Sequence, residues 1–198
     1  MREAETRFPA LTFHALRLHA SRSLPTHSSL RRLATSHRQP FAAMPEIRRA
    51  ETEADLDTAR RLFRAYAESL DFDLDFQDFE AEMAALPGPY APPDGAILMA
   101  EVGGEAVGVV ALQPLDDEGA CEMKRLYVTP EYRNHGIGRA LATAIVEVAR
   151  ALGYDVMRLD TVASMTTARR LYRSLGFEER DAYYHNPLDD AVYMERSL

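Results

Sequence analysis

Apolar residues fall into alternating helical and strand-like stretches along this chain. Leu56, Ala59, Leu62, Phe63, Tyr66 and Leu70 recur every three or four residues, which predicts an amphipathic helix over 53–70. Thr52 suits its N-terminal cap, and Glu53 and Asp55 favour its positive end. Phe76, Phe79, Met83 and Leu86 suggest a second, short helix, and the Pro and Gly residues of 87–95 make a loop. Two apolar runs, 96–102 and 106–113, flank Gly103-Gly104 and predict a β-hairpin. A third strand over 121–128 stops at Thr129-Pro130. Ile137, Leu141, Ala144, Ile145, Val148 and Leu152 are the buried stripe of a long helix over 136–152, which Gly153 ends. The strand expected at 155–161 is reached from 121–128 through that one helix, so the two should pair in parallel. A helix over 166–175, ended by Gly176, and strands at 177–180 and 191–196 complete one α/β domain without internal repeats.

Composition narrows what this domain can be. The 198 residues suit a single domain, and an apolar fraction of 46% supports a real core. A lone cysteine, Cys121, excludes an internal disulfide framework and a Cys-rich zinc module. No apolar run approaches the roughly 18 residues of a membrane span. The net charge of −8 argues against nucleic acid as a partner. That charge is uneven: residues 1–43 hold seven Arg and no Lys against two Glu, whereas residues 44–198 hold 16 basic and 29 acidic groups. The basic head, rich in Ser, Arg and Leu, has the composition of an organelle transit peptide. Met44-Pro45-Glu46-Ile47 also looks like a natural start, which would make the head an upstream extension. On either reading the head is expected not to pack on the domain. The location is then cytoplasmic, or mitochondrial if the head is a transit peptide.

The stretch Tyr132-Arg133-Asn134-His135-Gly136-Ile137-Gly138-Arg139 lies between a strand and a helix. A helix N-terminus offers unpaired N–H groups and partial positive charge, so it can hold a phosphate. Gly136 and Gly138 let an anion approach the backbone, and Arg133 and Arg139 add charge. The spacing is neither a dinucleotide fingerprint, since residue 141 is Leu, nor a P-loop, since no Gly-Lys-Ser/Thr follows.

Arg133-x-x-Gly136-x-Gly138, after a strand ending Leu126-Tyr127-Val128-x-Pro130, resembles the signature of the GNAT superfamily of acyl-CoA-dependent N-acetyltransferases. Ala168-x-x-x-Tyr172-x-x-x-Gly176-Phe177 is similar to that superfamily's second segment, and the likeness spans about residues 46–198. It implies a mixed, mostly antiparallel central sheet with helices on both faces and a parallel, splayed strand pair at the cofactor site. It further implies that the backbone of Leu126, Tyr127 and Val128 pairs with the pantetheine arm of acetyl-CoA. The amides of Arg133, Asn134, His135, Gly136, Ile137 and Gly138, with Arg139, would hold the pyrophosphate. No metal is implied. The acceptor amine would attack the thioester directly, with a backbone N–H of Tyr127 or Val128 at the oxyanion. Tyr172 stands at the general-acid position. Glu122 is the candidate base, or else a salt-bridged strand residue beside Lys124. Met165 stands where the superfamily often has Asn.

The acceptor's face is expected to use Phe72, Phe76, Arg125 and Tyr184. Acidic residues from Asp71 to Glu82 would draw a small cationic amine, or they are a solvated face without a role. Arg125 suggests the rival acceptor, an amino acid held by its carboxylate. A non-catalytic acyl-CoA sensor or interaction module of the same fold is the alternative to an enzyme. The segment 183–187, expected to be exposed, could close the site or pair with a second subunit in a homodimer.

Overall fold

The computed structural model describes residues 44–74 and 77–198. The expectations for the head and for Phe76 therefore lie outside the described residues. The order of elements is β1 (Glu46–Arg49), α1 (Glu53–Glu68), α2 (Phe79–Ala85), β2 (Ala96–Val102), β3 (Glu105–Pro114), β4 (Ala120–Val128), α3 (Ile137–Ala151), β5 (Val156–Val162), α4 (Thr166–Ser174), β6 (Glu178–Arg180) and β7 (Ala191–Ser197). Among the described residues these strands form one sheet in the order β1-β2-β3-β4-β5-β7-β6. Every neighbouring pair is antiparallel except β4 and β5, which run parallel as the intervening helix demands. Helix α1 ends two residues sooner than the apolar spacing suggests, at Glu68. The loop after α2 carries a short 3₁₀ turn at Gly88–Tyr90.

Strand alternation divides the core in two. Ala96, Leu98 and Ala100 of β2 pack with Leu141, Ile145 and Ala149 of α3 on one face. Ile97 and Met99, one residue out of step, pack with Leu56, Phe63 and Met83 of α1 and α2 on the other. Helix α1 is fixed to the sheet by its first turn. The Thr52 hydroxyl accepts from the Asp55 N–H at 3.2 Å, and the Asp55 carboxylate accepts from the Thr52 N–H at 3.0 Å. The same carboxylate accepts from Arg48 of β1 at 2.6 Å, while Arg48 Nε donates to Glu101 of β2 at 2.8 Å. Arg48 and the N–H of Glu51 hold the Asp55 carboxyl well below the usual carboxylate range.

Strand β4 is irregular where it matters. Lys124 pairs with Ala111 and Tyr127 with Val109, so two residues of β4, Arg125 and Leu126, oppose only Val110. This is a β-bulge, and Arg125 adopts φ +58°, uncommon for a residue with a side chain. The bulge inverts the alternation of β4. Cys121 and Met123 face the α3 core before it, and Leu126 and Val128 face that core after it. Tyr127 thereby joins the α1–α2 core. The side chain of Arg125, buried at 3% exposure, is clamped from α2. Its Nε donates to Glu82 Oε1 at 3.1 Å, its Nη2 donates to Glu82 Oε2, and the guanidinium lies 5.2 Å from the centre of the Phe79 ring. The Tyr90 hydroxyl donates to Glu82 Oε1 at 2.6 Å.

The consequence appears at the next pair of strands. β4 and β5 share only Ala120–Val156, Cys121–Met157 and Glu122–Arg158. Beyond that point β4 stays paired with β3 as far as Val128, and β5 stays paired with β7 as far as Val162. The two strands diverge and leave a wedge between them.

Two stability predictions follow from these charge contacts. Asp55→Asn is expected to lower the unfolding free energy in urea by roughly 1–3 kcal/mol near neutral pH. That difference should shrink as pH falls below about 4, because a depressed carboxyl stabilises the fold above its unfolded pKa and ceases to as it protonates. Glu82→Gln, which strands a buried guanidinium, should cost about 3–5 kcal/mol. Replacing both Glu82 and Arg125 by Met should cost less than the sum of the two single changes, as a double-mutant cycle in urea will show.

Candidate active site

The wedge opens as a cavity of about 530 Å³. One wall is β4 from Met123 to Val128, and the other is β5 from Asp160 to Val162 with Ala168, Leu171 and Tyr172 of α4. No strand pairs the β5-facing edge of β4 beyond Glu122 among the described residues, so this edge is open to an extended ligand.

The first turn of α3 forms one end of the cavity. Arg133, Asn134, Gly136, Ile137 and Gly138 line it. Gly136 caps the helix with φ +80°, a conformation that side chains resist, and no side chain caps this end. The amides of the first turn therefore have no side-chain acceptor. A Cβ placed on Gly138 would meet only Val128 Cγ2 at 3.8 Å and Leu171 Cδ2 at 3.9 Å, both ordinary contacts. The protein's own packing does not demand glycine there. An anionic group with an extended arm would suit both the helix end and the open strand edge. Arg133 braces the turn: its Nε donates to Val128 O at 3.0 Å, and its guanidinium lies 5.6 Å from the centre of the Tyr127 ring. His135 and Arg139 are exposed and are not among the lining residues. Arg139 donates instead to Ser174 Oγ at 2.7 Å.

Tyr172 lies on the cavity wall, its ring edge-on to Phe177 at 5.9 Å. Burial pushes its phenol far above the ordinary tyrosine range, so at neutral pH it carries its proton. Burial likewise pushes Tyr66, also on the wall, up to about 12.

The acceptor residues expected from the sequence meet a mixed outcome. Phe72 and Arg125 line the cavity, but the guanidinium of Arg125 is already occupied by Glu82. Tyr184 does not line it. Its ring packs 5.3 Å from Tyr183 and 5.5 Å from Tyr193, and Tyr193 donates its hydroxyl to Tyr184 O at 3.1 Å. The segment 183–187 is thus anchored inward by half-buried tyrosines rather than exposed throughout. Glu122 takes the other place expected for it, that of a salt-bridged strand residue beside Lys124. It is 3% exposed, does not line the cavity, and accepts from Gln113 Nε2 at 2.7 Å and from the Tyr183 hydroxyl at 2.5 Å. Lys124 Nζ stands 3.6 Å from it.

Sequence reasoning missed Asp160, Tyr66, Ser69, Gln77 and Leu188, all on the wall. Asp160 had only a weak signal, being an acid in a strand that also carries Arg158 and Thr161. Met165, at the position noted as a departure, lines the cavity with its sulfur 3.5 Å from Thr161 Oγ1. Among the described residues no group of three or more His, Cys, Asp or Glu is placed to hold a metal ion, and no helix is long and apolar enough to cross a membrane.

Comparison with known proteins agrees with this geometry. Residues 56–177 match the acetyltransferase (GNAT) family. An uncharacterised N-acetyltransferase of Schizosaccharomyces pombe is 43% identical over 145 residues, 73% of this chain and 89% of that protein. The N-acetylaspartate synthetase of Homo sapiens is 30% identical over 128 residues, 64% of this chain but only 40% of its own length. Among solved structures, a putative acyl-CoA N-acyltransferase of Klebsiella pneumoniae superposes with a TM-score of 0.59 at 30% identity, covering 78% of this chain and 98% of that one. A putative acetyltransferase of Salmonella typhimurium, solved with its cofactor acetyl-CoA, shares the fold with a TM-score of 0.59 at 22% identity over 78% of this chain and 94% of that one. By sequence, sheet topology and the parted strands, the chain belongs to the acetyltransferase (GNAT) family.

Proposed function

We propose that this protein moves an acetyl group from acetyl-CoA to the primary amine of a small molecule by direct attack. One observation carries the reading: the open edge of β4, the uncapped first turn of α3 and the protonated phenol of Tyr172 line a single cavity. Leu126, Tyr127 and Val128 would pair with the pantetheine arm as a neighbouring strand does. The amides from Arg133 to Gly138 would meet the pyrophosphate, where the helix dipole adds to them. His135 and Arg139 serve at most the exposed rim of that site.

Acetyl-CoA supplies an activated thioester carbonyl, and the rest of the chemistry belongs to the chain. A backbone N–H of Tyr127 or Val128 would stabilise charge on the carbonyl oxygen. Tyr172 gives its proton to the departing sulfur, and its burial keeps that proton in place until it is needed. The amine must arrive neutral or lose its proton inside the cavity, since an ammonium has no lone pair.

Calorimetric titration with acetyl-CoA is expected to show one site per chain. Gly138→Ala should weaken that binding at least about tenfold without lowering the melting temperature, because the protein leaves room for the added Cβ while a pyrophosphate held against the turn would not. Tyr172→Phe should leave acetyl-CoA affinity unchanged and lower kcat by about 100-fold or more, read as thiol release with a panel of amines. Binding without thiol release from any amine would identify a sensor instead of an enzyme. Absence of binding would refute the reading altogether.

A further inference from the structure

The wall of the cavity opposite α3 contains an unbalanced charge. Lys124, Arg125, Glu82, Glu122 and Asp160 lie in one field, and none of their side chains is more than 15% exposed. Two cations face three carboxylates. Arg125 and Glu82 neutralise each other through two hydrogen bonds. Lys124 stands between the other two acids, 3.6 Å from Glu122 and 3.7 Å from Asp160, beyond hydrogen-bond reach of both. Glu122 does not line the cavity and is satisfied by Gln113 and Tyr183. Asp160 faces into the cavity and has weaker company: Asn186 Nδ2 at 3.4 Å, and the Tyr184 hydroxyl. The uncompensated negative charge is therefore presented at Asp160, on the same cavity wall as Tyr172.

A largely enclosed carboxylate whose nearest cation stays 3.7 Å away and is shared with Glu122 gains from a second cation out of solution. An amine that enters protonated brings both that cation and a proton it must lose. We infer that Asp160 binds the acceptor as its ammonium ion and removes a proton from it, so that the site selects amines whose only charge is positive. This inference rests on the acetyl-transfer reading above.

The proton balance closes with the residues present. One N–H bond of the ammonium breaks and an O–H bond forms on Asp160. The freed lone pair bonds to the acetyl carbon, the C–S bond breaks, and the sulfur takes the phenolic proton of Tyr172. The second proton shed by the new amide nitrogen restores that phenol. The proton on Asp160 passes to solvent, so the net reaction releases one.

The groups that face Asp160 leave this role open to it. They are Lys124 from β4, Tyr183, Tyr184 and Asn186 from the β6–β7 segment, Tyr193 opposite it on β7, Tyr66 from α1 and Tyr172 from α4. Burial keeps the phenols protonated at neutral pH, so Lys124 is the one cation among them.

The test compares the full chain with Asp160→Asn, Asp160→Glu and Glu122→Gln. Calorimetry with acetyl-CoA comes first, and all four proteins should bind it with affinities within about threefold. Thiol release is then followed from pH 6 to 10 with diaminobutane, phenethylamine, glycine and aspartate as acceptors. With diaminobutane or phenethylamine, Asp160→Asn should lose about 100-fold or more in kcat/KM at pH 7. The deficit should narrow about tenfold per pH unit as free amine accumulates, up to the pKa of the amine. Asp160→Glu should keep the parent's pH dependence at reduced kcat, and Glu122→Gln should stay within a few-fold of the parent. A deficit independent of pH, no deficit, or an equal effect from Glu122→Gln would overturn the role of Asp160 while leaving acetyl transfer intact. Preference for glycine or aspartate would overturn the charge selection. Acetyl-CoA binding without transfer by the parent chain would overturn both readings together.

Discussion

Three shared residue pairs hold the start of β4 to β5, and then the strands part. Two strands with complementary unpaired edges would close on each other unless something else fixed their direction. β3 and β7 hold them from the outside, and the bulge at Arg125 turns β4. The bulge places a residue with a side chain at φ +58°, a conformation that costs on the order of 1–3 kcal/mol. Glu82 offsets that strain, because its two bonds to Arg125 exist only while the bulge keeps the guanidinium pointed at α2. Helix α2, though short, thereby helps hold open a cavity on whose wall Arg125 lies.

The same bulge sorts the side chains that reach that cavity. Without the extra residue, Leu126 and Val128 would face the α1 side and Tyr127 would face α3. With it, Tyr127 meets Tyr66 of α1, ring centres 6.3 Å apart, and Val128 lies 3.8 Å from the Cβ position of Gly138. The strand edge and the helix end that would serve one ligand are thus placed in register by a single inserted residue.

Most of the fold was legible because its signals are local. The stripe from Ile137 to Leu152, the paired glycines of the hairpin, and the strand–helix–strand order each specify their element without distant context. The turn from Arg133 to Gly138 was legible for the same reason, since a strand followed by a glycine-bearing helix start is readable in a dozen residues. The acceptor side was not. Lys124-Arg125 carries none of the Gly, Asn or Asp that would mark a bulge, so Arg125 read as a free cation instead of the partner of Glu82. Glu122 and Asp160 are both acids in strands of mixed character, β4 with Lys124 and Arg125 and β5 with Arg158. Only the point at which β4 and β5 part decides which of them meets the cavity, and that point depends on contacts 40 residues or more apart, such as Arg125 with Glu82. Tyr184 failed likewise: its packing on Tyr193 is made across a loop whose path the sequence does not encode locally.

The cavity that results carries both signs of charge on its wall. The first turn of α3, with no side chain capping it, presents the positive pole of the helix, and Asp160 of β5 presents a carboxylate among phenols that burial keeps neutral. On the acetyl-transfer reading, a diphosphate would be drawn to the first and an ammonium to the second. The two reactants would then be sorted by charge alone, because what would bind each also disfavours the other.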